Sequence, residues 1–225
     1  MSSFSERVSN TLLVASAVTI ASVVVIRELR SGPTPSTERQ IPAPEFRPEW
    51  NEYLSASLEL GNSDAPTVLI VFNDFECGGC RLFHERVIGK LRDRGDLSIR
   101  LLHLPLRIHR FAPSAARAAE CADAQGELHG LVEAIFAKQD SLGLKSWISY
   151  GEDAGLPDTG RFQECVAGNE PFERIAAGMR IAESLEVNAT PTLMLNGWLF
   201  RRIPDKEQLL AAIEAVMAGK APRVD

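Results

Sequence analysis

Two cysteines separated by two glycines are the residues of this sequence best suited to chemistry. They are Cys77 and Cys80, with Gly78 and Gly79 between them. Two thiols at this spacing can form a disulfide, exchange it with another pair of thiols, or supply two ligands to a metal ion. The motif therefore indicates either redox chemistry or metal binding, and its place along the chain helps to decide between them.

The motif lies between a predicted strand and a predicted helix. The run Thr67–Phe72 is continuously apolar and β-rich, as in a strand buried on both faces, and residues 78–94 repeat apolar side chains every three or four positions. A thiol at a helix N-terminus meets unpaired N–H groups and the positive end of the helix dipole, which both favour the thiolate. We therefore expect Cys77 to be an exposed nucleophile with a pKa below the free value of about 8.5. Cys80 falls on the apolar stripe and should be a buried resolving thiol.

Zinc or copper binding is the alternative for this motif. Structural zinc needs four ligands, commonly from two such pairs, but the other two cysteines stand alone at positions 121 and 165. His84, one turn beyond Cys80, could be a third ligand, although we expect it to be a partly exposed helix histidine. The redox interpretation is favoured, and it requires no metal or organic cofactor.

The surrounding patterns predict a single α/β domain. Leu97–Leu104 reads as a second strand, which makes a right-handed βαβ unit with the first strand and the helix. Thr192–Leu195, an Asn-Gly turn and Trp198–Ile203 predict a β-hairpin. A helix over Asp205–Ala218 follows, with its first residue as the N-cap. A long helical region over about 112–187 separates the two halves, so the order is βαβ, helical insertion, ββα.

A proline at the start of the hairpin completes a recognisable pattern. Proline removes a donor from the strand ladder, and a cis peptide is one solution at a strand start. With Thr190-Pro191 included, the sequence resembles the DsbA-like branch of the thioredoxin superfamily. The resemblance covers residues 57–218 and rests on FNDFECGGC (72–80), PLRIHRFAPSAARAAECA (105–122), GLPD (155–158) and VNATPTLMLNG (187–197). It implies that Pro191 is cis and faces the CxxC motif, and that the backbone of Thr190 pairs with a substrate peptide.

Two positions depart from the pattern of that family. Its oxidases often hold Pro and His between the cysteines, where this chain has Gly-Gly, so we expect Cys77 to be less acidic than in the strongest oxidases. Thioredoxin-like enzymes often place a buried acid six residues before the first cysteine, where this chain has Val71. A protonic helper for Cys80 would then be Asp74, Glu76 or water. An ionised Glu76 close to Cys77 would oppose thiolate formation.

The remaining cysteines, Cys121 and Cys165, each lie in a helical pattern of the insertion. Two buried free thiols are one interpretation, because cysteine packs well in cores. In an oxidising compartment the two could instead form a structural disulfide. Closing a loop of about 45 residues would stabilise the fold by roughly 4 kcal/mol in the chain-entropy model. We favour the disulfide.

The N-terminal region predicts a membrane anchor. No residue from Val8 to Ile26 is charged, and about 20 apolar residues match the bilayer core. A cleaved signal peptide is the alternative, but Arg7 is offset by Glu6 and no A-x-A-like site follows. We therefore predict a flank over 1–7, a transmembrane helix over 8–26, and a proline-rich spacer over 27–50. The DsbA-like domain would occupy 51–225.

Composition and motifs together predict the function. A net charge of −6 argues against nucleic-acid binding. We expect a membrane-anchored thiol–disulfide oxidoreductase with its catalytic domain outside the bacterial cytoplasm, introducing disulfides into cysteine-containing exported proteins. A membrane redox partner would re-oxidise the motif. The alternatives are a periplasmic reductase or isomerase, a cytosol-facing glutathione-dependent enzyme of related fold, and a non-enzymatic metal-binding or chaperone module.

Overall fold

The computed structural model of the protein describes residues 42–62 and 64–223. The predicted transmembrane helix over 8–26 and most of the predicted spacer lie outside the described residues. Among the helices that are described, none combines the length and the apolar character needed to cross a bilayer.

The centre of the domain is a mixed β-sheet. In the described residues its strands run in the order β1-β6-β5-β3-β4-β2. Their bounds are β1 Glu45–Phe46, β2 Ser57–Glu59, β3 Thr67–Asn73, β4 Leu97–His103, β5 Thr192–Leu195 and β6 Trp198–Phe200. The central strand β3 pairs with β4 in parallel and with β5 in antiparallel orientation, so the predicted βαβ unit and the predicted hairpin are confirmed.

The described part of the chain has seven α-helices of six or more residues, which lie between and after the strands. They are α1 Gly78–Phe83, α2 Ala112–Asp123, α3 Leu128–Ala137, α4 Trp147–Ala154, α5 Thr159–Ala167, α6 Glu173–Ser184 and α7 Lys206–Met217, with a short helical segment over Gly89–Leu91. A π-helical turn, His84–Ile88, continues α1 toward that segment. Asp205 caps α7, since its carboxylate accepts from the N–H of Gln208 at 2.8 Å.

Strand β3 separates two apolar cores. Every residue of the strand is buried, with Leu69 and Val71 in one core and Ile70 and Phe72 in the other. The first core also takes side chains from α1 to α5 and α7, whereas Ala182 of α6 lies in the second. The continuous apolar run is explained by this burial on both faces. The predicted insertion therefore contributes helices to both sides of the sheet.

The disulfide bond joins two of the helices that pack against the first core. Cys121 of α2 and Cys165 of α5 are bonded, with their Cα atoms 5.9 Å apart. The guanidinium of Arg117 donates to the carbonyl oxygens of Cys165 and Val166 at 3.0 and 3.1 Å. These hydrogen bonds, from a residue one turn before Cys121, also join α2 to α5 next to the crosslink.

The end of the predicted spacer is structured, which differs from the expected boundary at residue 51. Strand β1 pairs with β6, and the ring of Phe46 lies 5.1 Å from that of Trp198. Glu45 forms an ion pair with Arg201 at 3.1 Å. Pro48 then begins a 3₁₀ helix, a position where its missing N–H has no cost. The high proline content concealed a two-residue edge strand.

Candidate active site

The CxxC motif is presented by the turn that joins β3 to α1. The N–H of Cys77 donates to the carbonyl oxygen of Asp74 at 3.2 Å, and the N–H of Arg81 donates to the carbonyl oxygen of Cys77 at 3.1 Å. Cys77 therefore immediately precedes the helix, where the backbone N–H groups of its first turn are unpaired. The end of a buried strand fixes the position of this turn.

The two thiols of the motif have different surroundings. Cys77 is half-buried, whereas Cys80 is buried in the first core. The pKa of Cys77 is lowered to about 5, mainly by a hydrogen bond from the Cys80 thiol. Burial opposes this effect, whereas Thr190 and the backbone N–H groups of Cys80 and Gly79 add to it. Burial, followed by the hydrogen bond to Cys77 and its negative charge, raises the pKa of Cys80 well above its ordinary value. At neutral pH one sulfur is therefore a thiolate and the other a thiol.

The loop before β5 faces this pair. The Thr190–Pro191 peptide bond is cis, and the Sγ of Cys77 lies 3.2 Å from the carbonyl oxygen of Thr190. A thiol can donate to that oxygen, but a thiolate cannot. The hydroxyl of Thr190 is then the available donor, because its Oγ1 is buried, makes no other hydrogen bond among the described residues, and contributes to the lowered pKa of Cys77.

The two glycines of the motif have different spatial constraints. A Cβ atom at Gly79 would lie 3.2 Å from the Cδ of Pro191 and 3.5 Å from the Sγ of Cys77. A Cβ atom at Gly78 would meet nothing within 4 Å. Gly79 therefore permits the close approach of the cis-proline loop, whereas the position of Gly78 is open.

Asp74 connects the motif to the segment after β4. Its side chain is buried, and its Oδ1 accepts from the N–H of Glu76 at 2.8 Å. Its Oδ2 accepts from the N–H of Leu106 at 2.8 Å and lies 2.7 Å from the Nδ1 of His109. Its own N–H lies 3.5 Å from the Sγ of Cys80. Both cysteines thus have a backbone contact with this one residue.

The carboxylate of Glu76 binds the backbone just before α2. Its Oε2 accepts from the N–H of Phe111 at 2.5 Å, just before α2 begins. The carboxylate therefore binds an N–H group at the start of a neighbouring helix, where the helix dipole also favours a negative charge. This contact holds the turn before the motif against the insertion.

Sequence reasoning missed two residues of the site. The Nε2 of the buried Gln139 donates to the carbonyl oxygens of Phe75 at 2.8 Å and of Cys77 at 3.0 Å. His109 binds Asp74, as described above. His109 lies in one of the stretches that resemble DsbA-like proteins, so a signal existed, whereas no local pattern distinguishes Gln139 from other polar residues of the insertion.

The prediction of a partly exposed His84 is wrong. Its side chain is buried, its Nε2 lies 2.9 Å from the Oε1 of Glu133, and its ring lies 4.9 Å from that of Phe136. Helix α3 covers this part of the π-helical turn, and a tertiary contact of this kind leaves no trace in local periodicity. In the described part of the chain, no cluster of three or more His, Cys, Asp or Glu side chains is arranged to hold a metal ion.

The chain matches a known protein family over most of its length. A family model described as thioredoxin matches residues 55–215. The chain belongs to the thioredoxin family. This membership, together with the CxxC motif between β3 and α1, confirms the predicted resemblance to DsbA-like proteins and supports the predicted redox enzyme.

Solved structures of other proteins share the fold of this chain. A thioredoxin-like oxidoreductase from Silicibacter pomeroyi superimposes with a TM-score of 0.63 at 23% identity, covering 74% of this chain and 97% of that one. DsbA2 from Pseudomonas aeruginosa is 28% identical, with a TM-score of 0.53, covering 70% of this chain and 92% of its own.

Curated relatives of this thioredoxin-family chain include larger proteins. The Na(+)/H(+) antiporter NhaA 1 of Mycolicibacterium gilvum is 34% identical over 163 residues, which are 69% of this chain and 26% of that protein. The chain thus spans about a quarter of the length of the curated relatives it matches.

Proposed function

We propose that this chain is a membrane-anchored, extracytoplasmic oxidase that introduces disulfides into exported proteins. The observation that carries the proposal is the different placement of the two sulfurs: Cys77 is half-buried at the start of α1 beside Thr190, whereas Cys80 is buried. This placement lowers the pKa of Cys77 to about 5 and raises that of Cys80. A stable thiolate favours the reduced form of the motif, and a protein whose reduced form is stabilised is a strong oxidant. The same arrangement favours oxidase activity over reductase or isomerase activity.

The reaction follows from the different surroundings of the two sulfurs. In the oxidised enzyme, a substrate thiolate attacks the Sγ of Cys77, the Cys77–Cys80 bond breaks, and Cys80 leaves and takes up a proton. A second substrate thiolate then attacks the substrate sulfur of the mixed disulfide, and Cys77 leaves as a thiolate. A leaving thiol of low pKa departs faster, so the second step benefits directly from the environment of Cys77.

We infer that the substrate peptide lies along the backbone of Thr190 as an added strand. Thr190 and Pro191 immediately precede β5, and the carbonyl oxygen of Thr190 lies beside the reactive sulfur. Main-chain hydrogen bonds of this kind bind peptides with little dependence on their sequence. That property suits an enzyme whose substrates share cysteines and little else.

Three observations support a domain that is membrane-anchored and extracytoplasmic. A disulfide between Cys121 and Cys165 is typical of oxidising compartments. The uncharged segment over 8–26 has the length of an anchor. The matched relatives include Na(+)/H(+) antiporters, which are membrane proteins. A membrane redox partner that re-oxidises the motif belongs to the same proposal.

Two experiments test this function. The first follows the oxidation of a reduced, unfolded protein by the full-length chain in detergent micelles. We expect stoichiometric disulfide transfer from the oxidised enzyme. Efficient reduction of insulin without such transfer would instead indicate a reductase.

The second experiment labels an introduced exposed cysteine in intact cells with an impermeant maleimide. Labelling supports the proposed topology, and protection of that cysteine would indicate the cytosol-facing alternative. Tight metal binding without thiol exchange would indicate the non-enzymatic module.

A further inference from the structure

The residues between the two cysteines cannot supply a positive charge to the thiolate of Cys77. Both are glycines, and the nearest basic residue in sequence, Arg81, is 3.2 Å from Asp140 in an ion pair. A thiolate that is half-buried still needs favourable electrostatic partners. His109, which follows β4, is a basic side chain that the fold brings to Asp74, the residue that contacts both cysteines.

The geometry around Asp74 links His109 to both cysteines. Oδ2 of Asp74 lies 2.7 Å from Nδ1 of His109, while the backbone of Asp74 contacts the N–H of Cys77 and the sulfur of Cys80. The side chain of Asp74 is inaccessible to solvent, whereas that of His109 is 21% exposed. The imidazole can therefore exchange protons with water while the buried carboxylate holds it in place.

The hydrogen bonds to Asp74 define the proton positions on His109. The carboxylate of Asp74 accepts from the N–H groups of Glu76 and Leu106, and its contact with Nδ1 makes that nitrogen a third donor. An ionised carboxylate only accepts hydrogen bonds, so Nδ1 carries a proton in both charge states of the ring. Uptake of a second proton then occurs at Nε2.

Several charged groups face this imidazole. Burial lowers the pKa of His109, but the hydrogen bond and charge of Asp74, followed by the charges of Cys77 and Glu76, outweigh it, so the pKa is raised. Arg107 and Arg110 flank His109 on its own segment. Negative groups from the turn before α1 therefore favour the imidazolium, and one of them is the reactive sulfur itself.

We propose that the Asp74–His109 pair is the charge partner of Cys77, holding an imidazolium that stabilises the thiolate of the reduced enzyme. Asp74 acts as the positioning residue. The inference rests on the proposed thiol–disulfide exchange at Cys77 and adds a residue outside the CxxC motif to it. His109, from a distant segment, thus supplies the positive charge that the two glycines of the motif cannot supply.

The proposal couples proton uptake to the redox step. Two substrate thiols lose two electrons and two protons when they form a disulfide, and the two electrons reduce the Cys77–Cys80 bond. Cys80 takes one proton and becomes a thiol, while Cys77 becomes a thiolate. The second proton binds Nε2 of His109 when that nitrogen is unprotonated in the oxidised enzyme, and otherwise it passes to solvent.

The variant His109→Gln tests the pair, and the absorbance of the thiolate measures its effect in the full-length chain in detergent. Loss of an opposite charge near Cys77 should raise the midpoint of thiolate formation by about 1 pH unit. The corresponding equilibrium constant for oxidation of glutathione should fall about tenfold. His109→Arg, which keeps a charge that can bind Asp74, should retain most of the wild-type midpoint.

A matched control is His129→Gln. His129 also pairs with a carboxylate, Glu133 at 3.3 Å, but it lies on α3 rather than beside the motif. This variant should titrate like the wild type. An unchanged midpoint in His109→Gln, or an equal rise in the His129→Gln control, would overturn the inference.

A second measurement needs no variant. NMR titration of the four histidine rings in the reduced and the oxidised enzyme should give a higher pKa for His109 in the reduced form, because only that form carries the Cys77 charge. Equal values would refute the pairing. Failure of the proposed function is a separate result, since a wild-type chain that exchanges no disulfide with glutathione would remove the reaction itself.

Discussion

The carbonyl oxygen of Thr190 lies 3.2 Å from the Sγ of Cys77, although 113 residues separate the two in the chain. The contact joins the two halves of the fold, since Cys77 follows β3 and Thr190 precedes β5, the strand paired with β3. The insertion occupies much of the intervening sequence. The reactive sulfur and the backbone that we propose binds substrate are therefore positioned by the same pair of neighbouring strands.

The first prediction concerns the division of roles between the two cysteines. Cys77→Ser should abolish all turnover, because the attacked sulfur is lost. Cys80→Ser should retain attack by Cys77 on a disulfide-containing substrate but leave the mixed disulfide unresolved. Non-reducing electrophoresis should then show a thiol-sensitive adduct for Cys80→Ser and none for Cys77→Ser. Adduct formation by Cys77→Ser would contradict the assignment.

The second prediction concerns the origin of the low pKa of Cys77. The hydrogen bond from Cys80 contributes most to it, so Cys80→Ala should raise the pKa of Cys77. Cys80→Ser should raise it less, because a hydroxyl can still donate. The pH dependence of iodoacetamide alkylation measures both values. Identical values for the two variants would mean that the hydrogen bond is not the dominant cause.

The third prediction is a pH dependence of stability for the reduced protein. The pKa of Cys77 is about 5 in the folded state and near its ordinary value, about 8.5, in the unfolded state. Between these values the unfolded state binds more protons, so the contribution of Cys77 rises with pH from about 5 to 8.5. Its contribution is lost as the pH falls through about 5. Urea unfolding of reduced wild type and of Cys77→Ala isolates this contribution, and parallel pH profiles would contradict it.

The fourth prediction concerns Gln139. Gln139→Leu removes the donor shared by the carbonyl oxygens of Phe75 and Cys77 and should lower the free energy of unfolding by about 2 kcal/mol. Gln125→Leu is the matched control, because Gln125 also binds the backbone, through the N–H and the carbonyl oxygen of Asp158, but is only partly buried and makes these bonds at the surface. Its effect should stay within about 0.5 kcal/mol. If the two variants lost the same free energy of unfolding in urea, the hydrogen bonds of Gln139 at the motif would add no stability of their own.

The fifth prediction concerns the structural disulfide. The double variant Cys121→Ala, Cys165→Ala should lose about 4 kcal/mol of unfolding free energy, since the bond closes a long loop, with a sequence separation of 44. The denatured, fully oxidised wild type should contain no free thiol. Two remaining thiols at positions 121 and 165, identified by alkylation and mass spectrometry, would refute the bond.

The central part of the fold could be predicted from local patterns. The apolar run of β3, the Asn196–Gly197 turn and the N-cap of α7 are each short-range signals, and the structure contains all three. In the turn, both residues have positive φ angles, 41° and 87°, as a two-residue hairpin requires. These elements place the CxxC motif and the cis proline at the same end of the sheet.

The missed features all depend on contacts between distant segments. Strand β1 is two residues long and exists only because β6 offers an edge, while His84 is buried only because α3 packs over it. Gln139, in the insertion, reaches the motif although it lies 62 positions after Cys77 in the chain. Local sequence patterns do not indicate contacts between distant segments, so the roles of these residues could be found only from the structure.

The most direct test of the central claim is the reduction potential of the Cys77–Cys80 pair, measured in the full-length chain by equilibration with glutathione. An oxidase with a stabilised thiolate should have a potential above about −180 mV, toward the −120 mV of the strongest oxidants of this fold. A value near −270 mV, as in reducing thioredoxins, would contradict the account.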